Sequence, residues 1–134
     1  MLFNYRLRSA LSLLLLSIAI FSSCKKDGNS STSSKLALLT SGTWTFVSYN
    51  KKNSAGQWVN DDPTSVTFYV TFNANGTCTE TGSSTIGQWQ ANADFTTLTI
   101  TNSDAYGSFD VVTLTSSSLQ LLNTVTGELW IYTK

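Results

Sequence analysis

Val66-Thr67-Phe68-Tyr69-Val70-Thr71-Phe72 (VTFYVTF) puts Val66, Phe68, Val70 and Phe72 on one side of an extended chain and the other three residues opposite. A strict two-residue period marks a strand with one face in a core and the other in water. The period returns in Phe95 to Thr101 (FTTLTIT) through Leu98 and Ile100. It returns again where Leu119 and Leu121 flank Gln120, and where Leu129 and Ile131 alternate with Trp130 and Tyr132. Thr occupies many of the opposite positions, as expected of a solvated sheet face.

Turn residues punctuate these runs at short intervals: Asn73-Ala74-Asn75-Gly76, Gly82-Ser83-Ser84, Ala91-Asn92-Ala93-Asp94, Asn102-Ser103-Asp104, Ser116 to Ser118 and Asn123 to Gly127. About eight strands follow: Thr43–Asn50, Val66–Phe72, Thr77–Thr81, Ile86–Gln90, Phe95–Thr101, Ser108–Thr115, Leu119–Leu122 and Glu128–Thr133. Short connections favour consecutive antiparallel pairing, and closure into a barrel removes exposed edges. The expected fold is therefore all-β, a small antiparallel up-and-down β-barrel. Leu36 to Leu39 (LALL) suits a short N-terminal helical turn plugging one end.

At 134 residues the chain has room for one such domain. Its charge is uneven. Five of the eight basic residues (Arg6, Arg8, Lys25, Lys26, Lys35) precede Leu36, whereas from Leu36 onward three lysines face seven acids, a net of −4. A mildly acidic domain without arginine is unsuited to neutralising phosphates, so no nucleic-acid partner is expected. The chain has no histidine, which removes the commonest general base and metal ligand.

The N-terminus reads as an export signal. Two arginines lead into Leu11 to Phe21 (LSLLLLSIAIF), 11 residues long, too short for the roughly 20 apolar residues of a spanning helix. Phe21-Ser22-Ser23-Cys24 then resembles the lipobox of bacterial lipoproteins, with Phe where Leu is usual. That resemblance implies cleavage before Cys24, a diacylglyceryl thioether on its sulfur, acylation such as palmitate at its amine, and a membrane as partner. Residues 1–23 are then a signal peptide. Residues 24–35 are a lipidated Cys and flexible tether, because Lys25 to Lys35 (KKDGNSSTSSK) holds nothing apolar to bury. The barrel occupies 36–134. A Cys24–Cys78 disulfide is the rival reading, set aside because lipidation consumes Cys24. Cys78 is expected as an inert buried thiol.

Ser41-Gly42-Thr43-Trp44 resembles the Gly-x-Trp opening of lipocalins. The wider order of motifs is similar to the lipocalin-like domains of Bacteroidota lipoproteins: Gly42-Thr43-Trp44, Phe72 with Asn75-Gly76-Thr77, Gly87-Gln88-Trp89, Leu98-Thr99-Ile100, Leu114, Leu119-Gln120-Leu121 and an aromatic final strand. The resemblance implies a lipoprotein at the outer membrane, on its periplasmic face or the cell surface, and leans toward a ligand-binding barrel. Without histidine a general base would have to be an acid or a lysine, and no nucleophile–base or carboxylate pair stands out, so no enzyme is expected. One departure is plain. Lipocalins pack an Arg across the first-strand Trp, and here Lys134 is the only substitute, a flexible point charge without a stacking plane. Trp44 and Trp89 are expected to close the core.

An eight-stranded barrel holds one small molecule or is filled by side chains. The candidate lining for a small, partly apolar ligand is Phe46, Phe68, Val70, Phe72, Cys78, Trp89, Leu98 and Ile100. Glu80 shares the inward face with Cys78, either orienting a polar ligand group or reaching water at the strand end. Lys51 to Thr64 (KKNSAGQWVNDDPT) forms one longer loop, whose Trp58 either covers the mouth, touches a partner or folds back on the barrel. A filled barrel would instead suit an accessory envelope lipoprotein meeting a protein partner through that loop, Tyr69 or Tyr106. Asp61-Asp62 before Pro63 reads as turn chemistry. Asn73 to Gly76 lacks the acids of a calcium loop and reads as a hairpin turn. No cofactor or metal is expected.

Overall fold

The computed structural model describes residues 29–61 and 67–134. The signal peptide, Cys24 and the first residues of the tether lie outside the described residues, as do residues 62–66. The order is α1 (Asn29–Thr40), β1 (Thr43–Lys52), β2 (Trp58–Asn60), β3 (Tyr69–Phe72), β4 (Thr77–Glu80), β5 (Gly87–Ala91), β6 (Thr97–Thr101), β7 (Gly107–Leu114), β8 (Ser118–Asn123) and β9 (Leu129–Thr133). From β3 to β9 each strand pairs antiparallel with the next, and β1 pairs with both β3 and β9. Eight strands thus close an up-and-down barrel, and β2 is a ninth strand on the upper part of β1.

That closure follows from the two-residue period. Val70 and Phe72 on β3, Cys78 and Glu80 on β4, Leu98 and Ile100 on β6, and Leu119 and Leu121 on β8 all point inward and are buried. Their neighbours in sequence lie on the outer face. Irregularities at Val47 and Val112 shift the register of β1 against β9 and of β7 against β8. Such bulges sharpen twist, which closure of a small barrel requires. Both valines are left exposed.

Three sequence expectations change. The helical turn at Leu36 to Leu39 is a 12-residue helix that takes in residues 29–35 of the expected tether. Ser and Thr are poor helix interiors, and tertiary bonds offset the deficit. The Thr32 hydroxyl donates to the Ala93 carbonyl (2.8 Å) and Lys35 to that of Asp94 (2.7 Å), while Leu36 and Leu39 pack into the barrel end. Residues 53–57 are the actual loop between β1 and β2, so Lys51–Thr64 is a hairpin in its first part. The Asn53 side chain sets that turn by accepting from the Ala55 and Gln57 amides, both at 3.0 Å. Phe95 belongs to the β5–β6 turn at φ 52°, with its side chain still buried.

Candidate functional site

At the helix end the barrel is shut. Trp44 lies under α1, its indole N–H donating to the Leu39 carbonyl at 2.8 Å. Lys134 stands 3.9 Å from the centre of the Trp44 ring and donates to the Leu38 carbonyl (2.9 Å) and the Ser41 hydroxyl (2.8 Å). Lys134 therefore fills the place left by the missing arginine. Partial burial lowers its pKa, while the ring face and two acceptors keep its charge solvated.

The middle is filled. Val70, Phe72, Cys78, Leu98 and Ile100, all expected as ligand lining, are each no more than 2% exposed, as are Phe109, Leu119, Leu121 and Tyr132. A void large enough for water would leave surface accessible on whichever side chain bordered it. These residues therefore form one buried cluster across the middle of the barrel. Trp89 is half-buried, edge-on to Phe72 at 6.0 Å, with its N–H donated to the Asn73 carbonyl (3.0 Å).

Glu80 neither reaches water nor stands free for a ligand. It is 8% exposed, and the β6–β7 turn folds onto it. The Ser103 hydroxyl and the Ala105 amide (3.2 Å) donate to Oε1, and the Asp104 amide (3.0 Å) donates to Oε2. Three donors compensate a buried carboxylate that has no cation beside it among the described residues. Burial, and then the Glu80 charge, push the Cys78 thiol up to about 11, which makes it the inert thiol expected. The same two causes raise the pKa of Tyr132. Gly87 approaches this cluster closely: a Cβ there would lie 2.7 Å from Cys78 Sγ and 2.8 Å from Ser103 Cβ.

Above Glu80, at the end away from α1, the lining is aromatic and incompletely covered. Phe46 meets Tyr49 and Tyr132 (both 5.6 Å between ring centres), Phe68 (6.3 Å) and Trp130 (6.4 Å). Trp130 also meets Phe109 at 5.4 Å. Phe46, Tyr49, Phe68 and Trp130 are all half-buried. Sequence reasoning singled out Phe46 and Phe68. It missed Tyr49 and Trp130 as lining, though the cross-strand pair they form places both on one face.

Lys51 ties the rim of this mouth together, bridging Asp61 (2.6 Å) and Glu128 (3.0 Å). The bonds to Asp61 and then Glu128 raise the Lys51 pKa. Burial pushes Glu128 up, but bonds from Lys51, Trp130 and Thr126 outweigh it and leave Glu128 below its ordinary value. Trp58 on β2 does not fold back onto the barrel. It stays 41% exposed, with Lys52 5.1 Å over its ring. Among the described residues no three His, Cys, Asp or Glu side chains gather as a metal site.

A closed eight-stranded antiparallel barrel, plugged at one end by a helix behind a first-strand tryptophan, defines a lipocalin-like architecture. The lipocalin-like domain family matches residues 40–121, and the chain belongs to it. The fold is also that of a DUF4847 family protein from Bacteroides vulgatus, 18% identical, with a TM-score of 0.53 over 71% of this chain and 93% of that one. No curated protein matches the sequence. The fold and family suit a ligand-binding or accessory protein, and lipocalin-like proteins are usually non-enzymatic.

Proposed function

We propose that this is a non-catalytic lipoprotein of the cell envelope, anchored through Cys24, that holds a small, partly apolar ligand against its aromatic mouth. The half-buried group Phe46, Tyr49, Phe68 and Trp130, standing above a core with no room to spare, carries the reading. Half-buried aromatic faces favour flat or aliphatic ligands. A filled middle favours a shallow seat over a deep calyx. The experiment is a titration of tryptophan fluorescence with retinol, laurate and 1-anilinonaphthalene-8-sulfonate, repeated with Trp130→Phe and Phe46→Ala. Saturable quenching that weakens at least tenfold in Phe46→Ala supports the seat; no saturable binding by any probe overturns it. For the anchor, Cys24→Ser abolishes labelling by an alkyne palmitate analogue, and persistent labelling defeats that part.

A second reading has its own observation. Trp58 and Val59 are both exposed, one on each face of β2, the terminal strand of the sheet order. An accessory lipoprotein would present them to a protein partner, and crosslinking from position 58 in cells would trap one defined species.

A further inference from the structure

The outer face of β4, β5 and β6 holds a second concavity, remote in chemistry from the mouth. Its volume is about 400 Å³, within the range of small-ligand sites, and Asn75, Thr77, Gln88, Gln90, Thr99 and Thr101 line it. Backbone register makes this an ordered array. Thr77, Gln88 and Thr101 form one row across three strands, and Gln90 and Thr99 face each other in the next. Cross-strand neighbours stand about 4.5–5.5 Å apart, so hydrogen-bonding groups recur at a spacing fixed by the sheet.

The rim is equally set. The Asn75 carboxamide oxygen accepts from the Thr77 amide (3.1 Å) and hydroxyl (2.7 Å), and Asn73 donates to the same hydroxyl (3.1 Å). Gly76, at φ 85°, lets this turn close on β5, where a Cβ would already sit 3.4 Å from the Trp89 carbonyl oxygen. Trp89 borders the groove with its indole N–H committed elsewhere.

We propose that this groove binds a neutral oligosaccharide. None of the lining side chains carries a charge, so neither a phosphate nor an ammonium group finds a counter-ion there. Gln88, Gln90, Thr99 and Thr101 make no side-chain hydrogen bonds among the described residues, leaving two carboxamides and two hydroxyls able both to donate and to accept. All four are exposed to water, so a ligand that displaces that water must offer donors and acceptors at close, regular intervals, which is the chemistry of sugar hydroxyls. Strand addition by a peptide is closed off, because β5 is already paired on both edges.

The test is isothermal titration of the barrel domain within the full chain against neutral hexasaccharides of the malto, cello, xylo and manno series. A galacturonate hexamer and a heparin-derived hexasaccharide serve as charged controls. Binding of at least one neutral series, weakened tenfold or more by Gln88→Ala with Gln90→Ala at unchanged unfolding midpoint, supports the proposal. Phe46→Ala must leave it unchanged, which separates this groove from the mouth. Failure of every neutral series to bind, preference for a charged control, or binding indifferent to Gln88→Ala with Gln90→Ala overturns it.

Discussion

The two ends of the barrel are built on different principles. At the helix end, closure is largely apolar and redundant: α1, Leu39, Trp44 and Lys134 cover one another, and the Lys134 charge sits on a ring face with two further acceptors. At the mouth, closure is polar and singular: one buried carboxylate holds down the Ser103–Ala105 turn, and one lysine pins the β1–β2 hairpin to the start of β9. Burial of apolar surface carries the first end and tolerates small rearrangements. Directional bonds carry the second, and these fail when one partner goes.

The largest test removes the apolar plug. Trp44→Ala should cost about 3–5 kcal/mol in denaturant-induced unfolding, with α1 losing its hydrogen-exchange protection. Glu80→Gln should cost less, about 1.5–3 kcal/mol, and should speed exchange at the Asp104 and Ala105 amides while leaving α1 protected. If Glu80→Gln loosened the helix as well, the two ends would not be independent. Gly87→Ala probes the join between them, where the added methyl meets Cys78 and Ser103. About 1–3 kcal/mol is expected from overpacking, partly recovered when Cys78→Ala is added.

The smallest effect is alkaline. Cys78 keeps its proton in the folded state up to about 11, whereas an unfolded thiol ionises near 8.5. Stability present below about pH 8.5 is therefore lost as pH rises toward 11. Lys51, raised in the folded state, adds a loss of the same sign at still higher pH. The difference between wild type and Cys78→Ala in unfolding midpoint, followed from pH 8 to 11, isolates the thiol.

What was legible in the sequence were features with local periodicity. Alternation announces Val70 and Phe72 in VTFYVTF and Leu98 and Ile100 in FTTLTIT as inward-facing, and Trp44 behind Gly42 announces the closed end. The hairpin strand Trp58–Asn60 was not legible, because three residues carry no period and its order comes from the Asn53 turn and from Lys51. The first half of α1 was hidden for a related reason. Its Ser and Thr residues form a helix on bonds to residues 59 and 61 positions away. Parity placed Glu80 inside, but its partners lie 23 to 25 residues along the chain, and no spacing rule names them. Tyr49 and Trp130 became neighbours only through pairing of the first strand with the last.

That pairing also governs how the molecule comes into being. β1 and β9 are joined along Thr45 to Asn50, and Lys134 reaches back across 96 residues to Leu38. Until β9 is present, β1 and β8 are bare strand edges and Trp44 lacks its lid. Closing so long a loop is slow relative to forming the hairpins between. The barrel therefore assembles as an open, curling meander whose two free edges can pair with other chains. Shortening the chain by one strand would turn a self-contained molecule into one that recruits its neighbours.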